Sequence, residues 1–258
     1  MRKTAIRLGA GLAILAVWQA VALFFPPTYL PGPLLVAGEI GRIVVSGDFF
    51  VHMYWTILRV VLGFLASFGV AVVLGVAMGL ARTWELALDG PILVGLTIPG
   101  LAWAVIGLML FGLSTTTQVF AIFMVVTPIL TVNLWEGTKA IDRKVVEMAM
   151  VFRAGRWTII RTVILPQLVP FALAGLRFGL ALCWKTVVIA ETFGATSGVG
   201  YKIIQARELL SMQGVLAWTL SFTLVMFVLE FAVLKLLEAR LTAWRPRGAG
   251  LTLRAAAT

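Results

Sequence analysis

Six apolar runs dominate the chain: Leu8 to Phe25, Trp55 to Ala81, Pro91 to Leu110, Thr117 to Trp135, Leu168 to Ala190 and Val215 to Leu237. Each reaches or approaches the roughly 20 helical residues that cross a hydrocarbon core. The pattern therefore predicts an all-α integral membrane protein with six transmembrane helices. The longest polar interruption, Glu136 to Pro170, follows the fourth run and concentrates Lys139, Arg143, Lys144, Arg153, Arg156 and Arg161 in one loop. Neither an internal repeat nor a flexible linker divides the sequence, so residues 1–258 read as a single transmembrane domain.

Composition agrees with this reading. A chain of 258 residues that is 61% hydrophobic and only 12% charged has too little polar surface to cover a soluble globule of its size. The net charge of +10 raises nucleic acid as a partner. The basic residues flank apolar runs, however, and are not interleaved with exposed aromatics, so they read as topology signals. Lys and Arg fall mostly at the N-terminus, at Arg82, in the central loop and after Lys235, against Arg42, Lys202 and Arg207 on the other side. The rule that translocated loops are poor in them places both termini in the cytoplasm, in a multi-pass membrane protein. Arg2 and Lys3 before the first run also fit a signal peptide, but FFPPTYLPGP occupies the place of a small-residue cleavage site.

Charges inside apolar runs require a reason. Lys185, beside Trp184 and upstream of Glu191, is the candidate for a group facing a water-filled path, with Trp103 on the third run as a further lining residue. The bland alternative pairs Lys185 with Glu191 or Glu230. Arg59 and Arg177 read as braces between helices or helix ends. Gly75 and Gly79, and Gly175 and Gly179, form GxxxG pairs that suit close helix packing within the chain. Pro91 and Pro99 are expected to begin and kink the third span.

The inventory for catalysis is nearly empty. His52 is the only histidine and Cys183 the only cysteine, which leaves no material for a metal site or a nucleophile–base pair. His52 reads as a solvated loop residue. The glycine-rich FGATSGVGYK, Phe193 to Lys202, lacks the Gly-Lys-Ser/Thr ending of a phosphate loop and reads as a tight or re-entrant connection after the fifth run.

The central loop carries a resemblance. EMAMVFRAGRWTIIRTVILP, Glu147 to Pro166, resembles the EAA signature of ATP-binding-cassette importer permeases, with Glu147, Ala149, Val163, Leu165 and Pro166 in register. Ala154, Arg156 and Trp157 also match the branch that imports sulfonates, taurine and nitrate. LPGP at Leu30, TILRVVLGF at Thr56, TIPGLAW at Thr97, GLRFGL at Gly175 and VVIAETFGATSGVGY at Val187 are similar to the same branch, in the same order. The resemblance implies the type I importer transmembrane fold, with Glu136 to Pro166 as a cytoplasmic coupling-helix loop. It implies that Glu147, Met148, Ala149, Phe152, Arg153, Ala154, Gly155 and Pro166 meet an ATPase subunit. The implied assembly has two copies of this chain, two ATPase subunits holding ATP and magnesium, and a periplasmic or lipid-anchored solute-binding protein. This chain would bind no cofactor and catalyse nothing itself. The implied solute is a small anion of the sulfonate, taurine or nitrate kind; the alternatives are an uncharged or aromatic, pyrimidine-like precursor on the same machinery, or an ion-coupled secondary transporter.

Two departures stand out. Arg153 occupies the place of the motif's glycine, and the nearest glycine is Gly155. If that glycine stops a helix, the first coupling helix is expected to run two residues longer and Gly155 to end it. In TIPGLAWAV, Gly100 and Val105 stand where relatives commonly carry prolines.

Overall fold

The computed structural model describes residues 2–241. Its described residues form helices α1 (Arg2–Ala22), α2 (Pro33–Val45), α3 (Asp48–Leu80), α4 (Arg82–Thr97), α5 (Gly100–Phe111), α6 (Thr115–Lys139), α7 (Arg143–Val151), α8 (Arg156–Ile159), α9 (Leu165–Gly194), α10 (Val199–Glu208) and α11 (Met212–Leu241), with a π-helical turn, Ile160–Ile164, joining α8 to α9. Four stretches are long and apolar enough to cross a membrane: Asp48–Leu80, Thr115–Lys139, Arg156–Gly194 and Met212–Ala232. A fifth crossing results if α4 and α5 count as one.

Among the described residues the count is thus four or five, and one expected span is not straight. The first expected span falls largely in α1, Arg2–Ala22. The third is broken into α4 and α5, which meet at 96°. The cause is local: Ile98 precedes a proline and is held extended (φ −73°, ψ 123°), and Pro99 caps α5 in the same region. Pro91 lies inside α4 instead of starting it.

Three helices make the centre. Val60 and Ala71 of α3, Ile122, Val126, Leu130 and Leu134 of α6, and Cys183 and Val187 of α9 form one buried apolar cluster. Glycines set the separation. A Cβ at Gly63 would meet Ile122, one at Gly75 would meet Leu134 and the Thr131 carbonyl, and one at Gly79 would meet Thr138. Both numberings rise together along this seam, so α3 and α6 run parallel. α9 runs antiparallel to α6, with Gly175 against Asn133 and Gly194 against Thr117. A second cluster joins α2, α3, α10 and α11 through Val36, Met53, Val199 and Trp218. Pro33 at the first turn and Gly32 before it start α2, as LPGP leads one to expect.

Candidate functional site

At the end of the bundle where α3 and α6 finish, the chain leaves α6 at Lys139 and turns into α7. Asp142 caps α7 by accepting the Lys144 amide at 2.9 Å, and its own amide donates to Gln167 Oε1 at 2.8 Å, so the entry to α7 is tied to the start of α9. No residue of α7 is buried. Its outer side and the following turn present Met148, Met150, Val151 and Phe152, at 55, 54, 81 and 79% exposure, and Trp157 beyond them is 70% exposed. Together these side chains form an exposed apolar patch on a short helix that otherwise carries charge.

Glu147 and Met150 also border a cleft of about 640 Å³, with Arg82, Glu85, Lys139, Arg143 and Val146. Glu85 bridges Arg82 and Lys139 at 2.7 Å each, and the Lys139 ammonium sits 4.6 Å from the Trp135 ring centroid. Two of the cleft's three cations are thus already paired, and Glu147 has no ion-pair partner among the described residues.

The stop of α7 corrects the expectation about glycine. The helix ends at Val151 with Phe152 as its cap, and Arg153 itself adopts the left-handed conformation, φ 54°. The Arg153 amide donates to the Met150 carbonyl at 2.9 Å and the Ala154 amide to the Ala149 carbonyl at 3.1 Å. These are the two bonds of a Schellman stop, with arginine at the position that glycine usually takes. Gly155 has an ordinary extended backbone (φ −63°, ψ 151°), opens α8, and would have a Cβ in free space. α7 is therefore not lengthened by two residues. Arg153→Gly should stabilise the purified protein by about 1 kcal/mol by removing left-handed strain. Gly155→Ala should change stability by under about 1 kcal/mol, in the stabilising direction. Thermal unfolding of the two variants in detergent checks this; a larger loss for Gly155→Ala than for Arg153→Gly would restore the sequence-based expectation.

Pro166 does not interrupt the helical path. The Leu165 amide donates to the Ile160 carbonyl, five residues back, and this wider turn leaves room for a proline that has no amide and whose ring would crowd Thr162. One helical path therefore runs from Arg156 to Gly194.

The four residues considered as path lining do not converge. Trp184 is half-buried and packs on both main clusters, and Trp103 lies against Ala104, Ala121 and Ala190. Lys185 is exposed on the opposite side of α9 from the core. Glu191 is 1% exposed and enclosed in a clamp at the other end of the bundle. Arg59 Nη1 donates to Glu191 Oε1 at 2.7 Å and to the Ser197 carbonyl at 2.6 Å, while Nη2 donates to Ser197 Oγ at 2.9 Å. Thr56 Oγ1 donates to both carboxylate oxygens, at 2.9 and 3.0 Å, and accepts the Val199 amide at 2.9 Å. The Gly200 amide supplies a further donor to Oε2 at 2.8 Å.

The glycine-rich segment thus wraps a carboxylate of its own chain. Gly198, at φ 108°, and Gly200 leave no room for a Cβ: it would lie 2.3 Å from the Glu191 carboxyl carbon in one case and 2.4 Å from the Val188 carbonyl in the other. His52 belongs to the same assembly. Its Nδ1 accepts the Gly198 amide at 3.0 Å, and its ring stacks on Tyr201 and meets Trp218 edge-on. It is not a solvated loop residue but part of the first turns of α3. Sequence reading identified Arg59 as a brace and missed its partners. Arg177, also read as a brace, is exposed and has no ion-pair partner among the described residues.

Residues 71–243, which include α7, its Schellman stop and Glu191, match the family described as binding-protein-dependent transport system inner membrane component. The chain belongs to that family. Relatives of this permease include the taurine transport system permease protein TauC of Escherichia coli K12, 30% identical over 94% of this chain and 90% of that one. SsuC of Bacillus subtilis strain 168, named for aliphatic sulfonates transport, is 31% identical over 90% and 84%. The nitrate import permease protein NrtB of Synechococcus elongatus is 29% identical over 74% and 72%. The permease also has the fold of a chain of the MetNI methionine ABC transporter in its inward-facing conformations, with a TM-score of 0.62 at 13% identity, over 72% of this chain and 93% of that one.

Proposed function

We propose that this permease is the membrane subunit of an importer for small oxyanions of the sulfonate and nitrate kind, driven by a separate ATPase that grips the loop from α7 to α8. The observation that carries the reading is α7: a short capped helix with no buried residue, exposing Met148, Met150, Val151 and Phe152 beside a cleft that holds Glu147. A helix of this kind fits a groove on a soluble partner by its apolar side, while the charged cleft fixes its angle. Both termini and this loop lie in the cytoplasm, where ATP and magnesium bind the partner. Two copies of the chain pair with two ATPase subunits in the inner membrane, and a solute-binding protein delivers the solute from outside. The names of the relatives, which cover aliphatic sulfonates, taurine and nitrate, support a small oxyanion as the solute.

Co-purification tests the coupling part. The permease expressed with its cognate ATPase should come through a tag on either subunit in equal amounts. Glu147→Arg or Phe152→Asp should lower recovery of the ATPase at least about tenfold, as expected when a central contact worth 1.4 kcal/mol or more is lost. Uptake driven by an ion gradient in vesicles without the ATPase would reject the reading.

A further inference from the structure

α9 has two unlike sides. Gly175, Gly179, Cys183, Thr186, Val187 and Ala190 are buried against α6 and α3. The opposite side carries Ala174, Arg177, Phe178, Lys185 and Ile189, all exposed. At 100° per residue Arg177 and Lys185 lie about 80° apart around the axis, straddling the middle of this open stripe, and about 12 Å apart along it. Counted back from Gly194, Lys185 lies about 14 Å and Arg177 about 26 Å from the end of a helical path, Arg156–Gly194, that is apolar enough to cross a membrane. Neither has an ion-pair partner among the described residues. An unpaired cation within the hydrocarbon layer does not face lipid; it faces water or a counter-charge. The remaining exposed surfaces of the long helices differ. Val73 on α3, and Leu224, Phe227 and Val228 on α11, are exposed and uncharged, as a lipid-facing surface requires, whereas Val61 and Leu65 line a cavity of about 290 Å³ with Glu230, Leu176, Leu180 and Trp184.

We propose that the Arg177–Lys185 stripe of α9 faces the same stripe of a second copy across an aqueous passage, and that the resulting four cations are the stations on which an oxyanion crosses. This rests on the importer reading above and adds which side chains meet the solute. The site is incomplete in one chain, because a single stripe offers cations on one wall only. The two positions also differ chemically. Arg177 offers a planar fork that can take two oxygens of a sulfonate or nitrate at once, whereas Lys185 offers a compact charge with three donors. Such a pair suits an anion small enough to be handed from one to the other. It disfavours an uncharged solute, for which two bare cations in the passage bring only a desolvation cost.

The single cysteine provides a clean test. Cys183 is fully buried, so in a Cys183→Ala background new cysteines can be introduced one at a time into the complete complex of permease and ATPase in membrane vesicles. Arg177→Cys and Lys185→Cys should react with a water-soluble, negatively charged methanethiosulfonate at least about tenfold faster than Val73→Cys, the lipid-facing control, and millimolar nitrate or methanesulfonate should slow that reaction. Equal rates at the three positions would overturn the proposal. In the otherwise native complex with its binding protein, Lys185→Met should reduce ATP-dependent uptake of nitrate or methanesulfonate at least about tenfold with ATP hydrolysis retained, and Lys185→Arg should restore it. Full uptake by Lys185→Met would also overturn it. Should the wild-type complex carry neither anion, the importer reading fails by itself, while the labelling rates still decide whether the stripe faces water.

Discussion

Arg59→Leu is expected to cost about 3–5 kcal/mol of stability, because it strands the Glu191 carboxylate in a site with no water to replace the lost cation. The side chains of the pair are 3% and 0% exposed. Glu191→Gln should do comparable damage from the other side, since it leaves the buried Arg59 guanidinium without a counter-charge and turns an amide NH2 toward the Thr56 or Gly200 donors. The effect should extend well beyond the pair. The carboxylate joins α3 through Arg59 and Thr56 to the N-terminus of α10 through Gly200, and Gly198 is held in turn by His52. Gly198→Ala tests the same centre without altering a charge: its Cβ would enter the carboxyl group from a backbone conformation that alanine rarely adopts. Thermal or denaturant unfolding of the detergent-solubilised protein reads all three. An Arg59→Leu protein within about 1 kcal/mol of wild type would show that the clamp is not what holds α10 in place.

The hydrophobic pattern reveals the helices because apolar length is a local property. Trp55 to Ala81 and Thr117 to Trp135 fall inside α3 and α6, within a few residues except at the start of α3, where the helix begins at Asp48. The 96° break was half legible: Pro99 announced a bend, but its angle depends on how α5 packs on α6 and α9. The clamp was illegible for a different reason. Arg59 and Glu191 are 132 residues apart, and nothing local to either names the other. Nearness in sequence pointed instead to Lys185, six residues before Glu191, yet on a helix that spacing separates two side chains by about 120°. One faces the core and the other an open side. The stop at Arg153 was missed because the expectation was framed as a residue type. What a Schellman stop requires is two amide donors on the right carbonyls and one residue in the left-handed region, and arginine meets that requirement at a cost of about 1–2 kcal/mol.

Gly75→Leu is expected to prevent folding, and Gly75→Ala alone to cost about 1–3 kcal/mol, because the parallel seam of α3 and α6 has a rigid wall at this point. A Cβ there would lie 2.7 Å from Leu134 Cβ and 2.9 Å from the Thr131 carbonyl oxygen, and the carbonyl belongs to a helix backbone that cannot rotate away. Gly63 offers a contrast within the same seam. Its Cβ would first strike the side chain of Ile122, so Gly63→Ala should be rescued in part by Ile122→Val, whereas no side-chain change on α6 should rescue Gly75→Ala. Gly69 is the control: it faces open space, and Gly69→Ala should stabilise the helix by up to about 1 kcal/mol. Gly79 connects the seam to function. Its Cβ would meet Thr138 at 2.3 Å, and Gly79 and Thr138 both line the cleft that contains Glu147. Gly79→Leu should therefore push α6 away from α3 next to Lys139, open the cleft and loosen α7 from the bundle. Loss of the co-purifying ATPase at a permease yield that Gly69→Leu leaves intact would locate the effect at this end of the seam. Full retention of the ATPase by a folded Gly79→Leu protein would show that α7 holds its position independently of the α3–α6 seam.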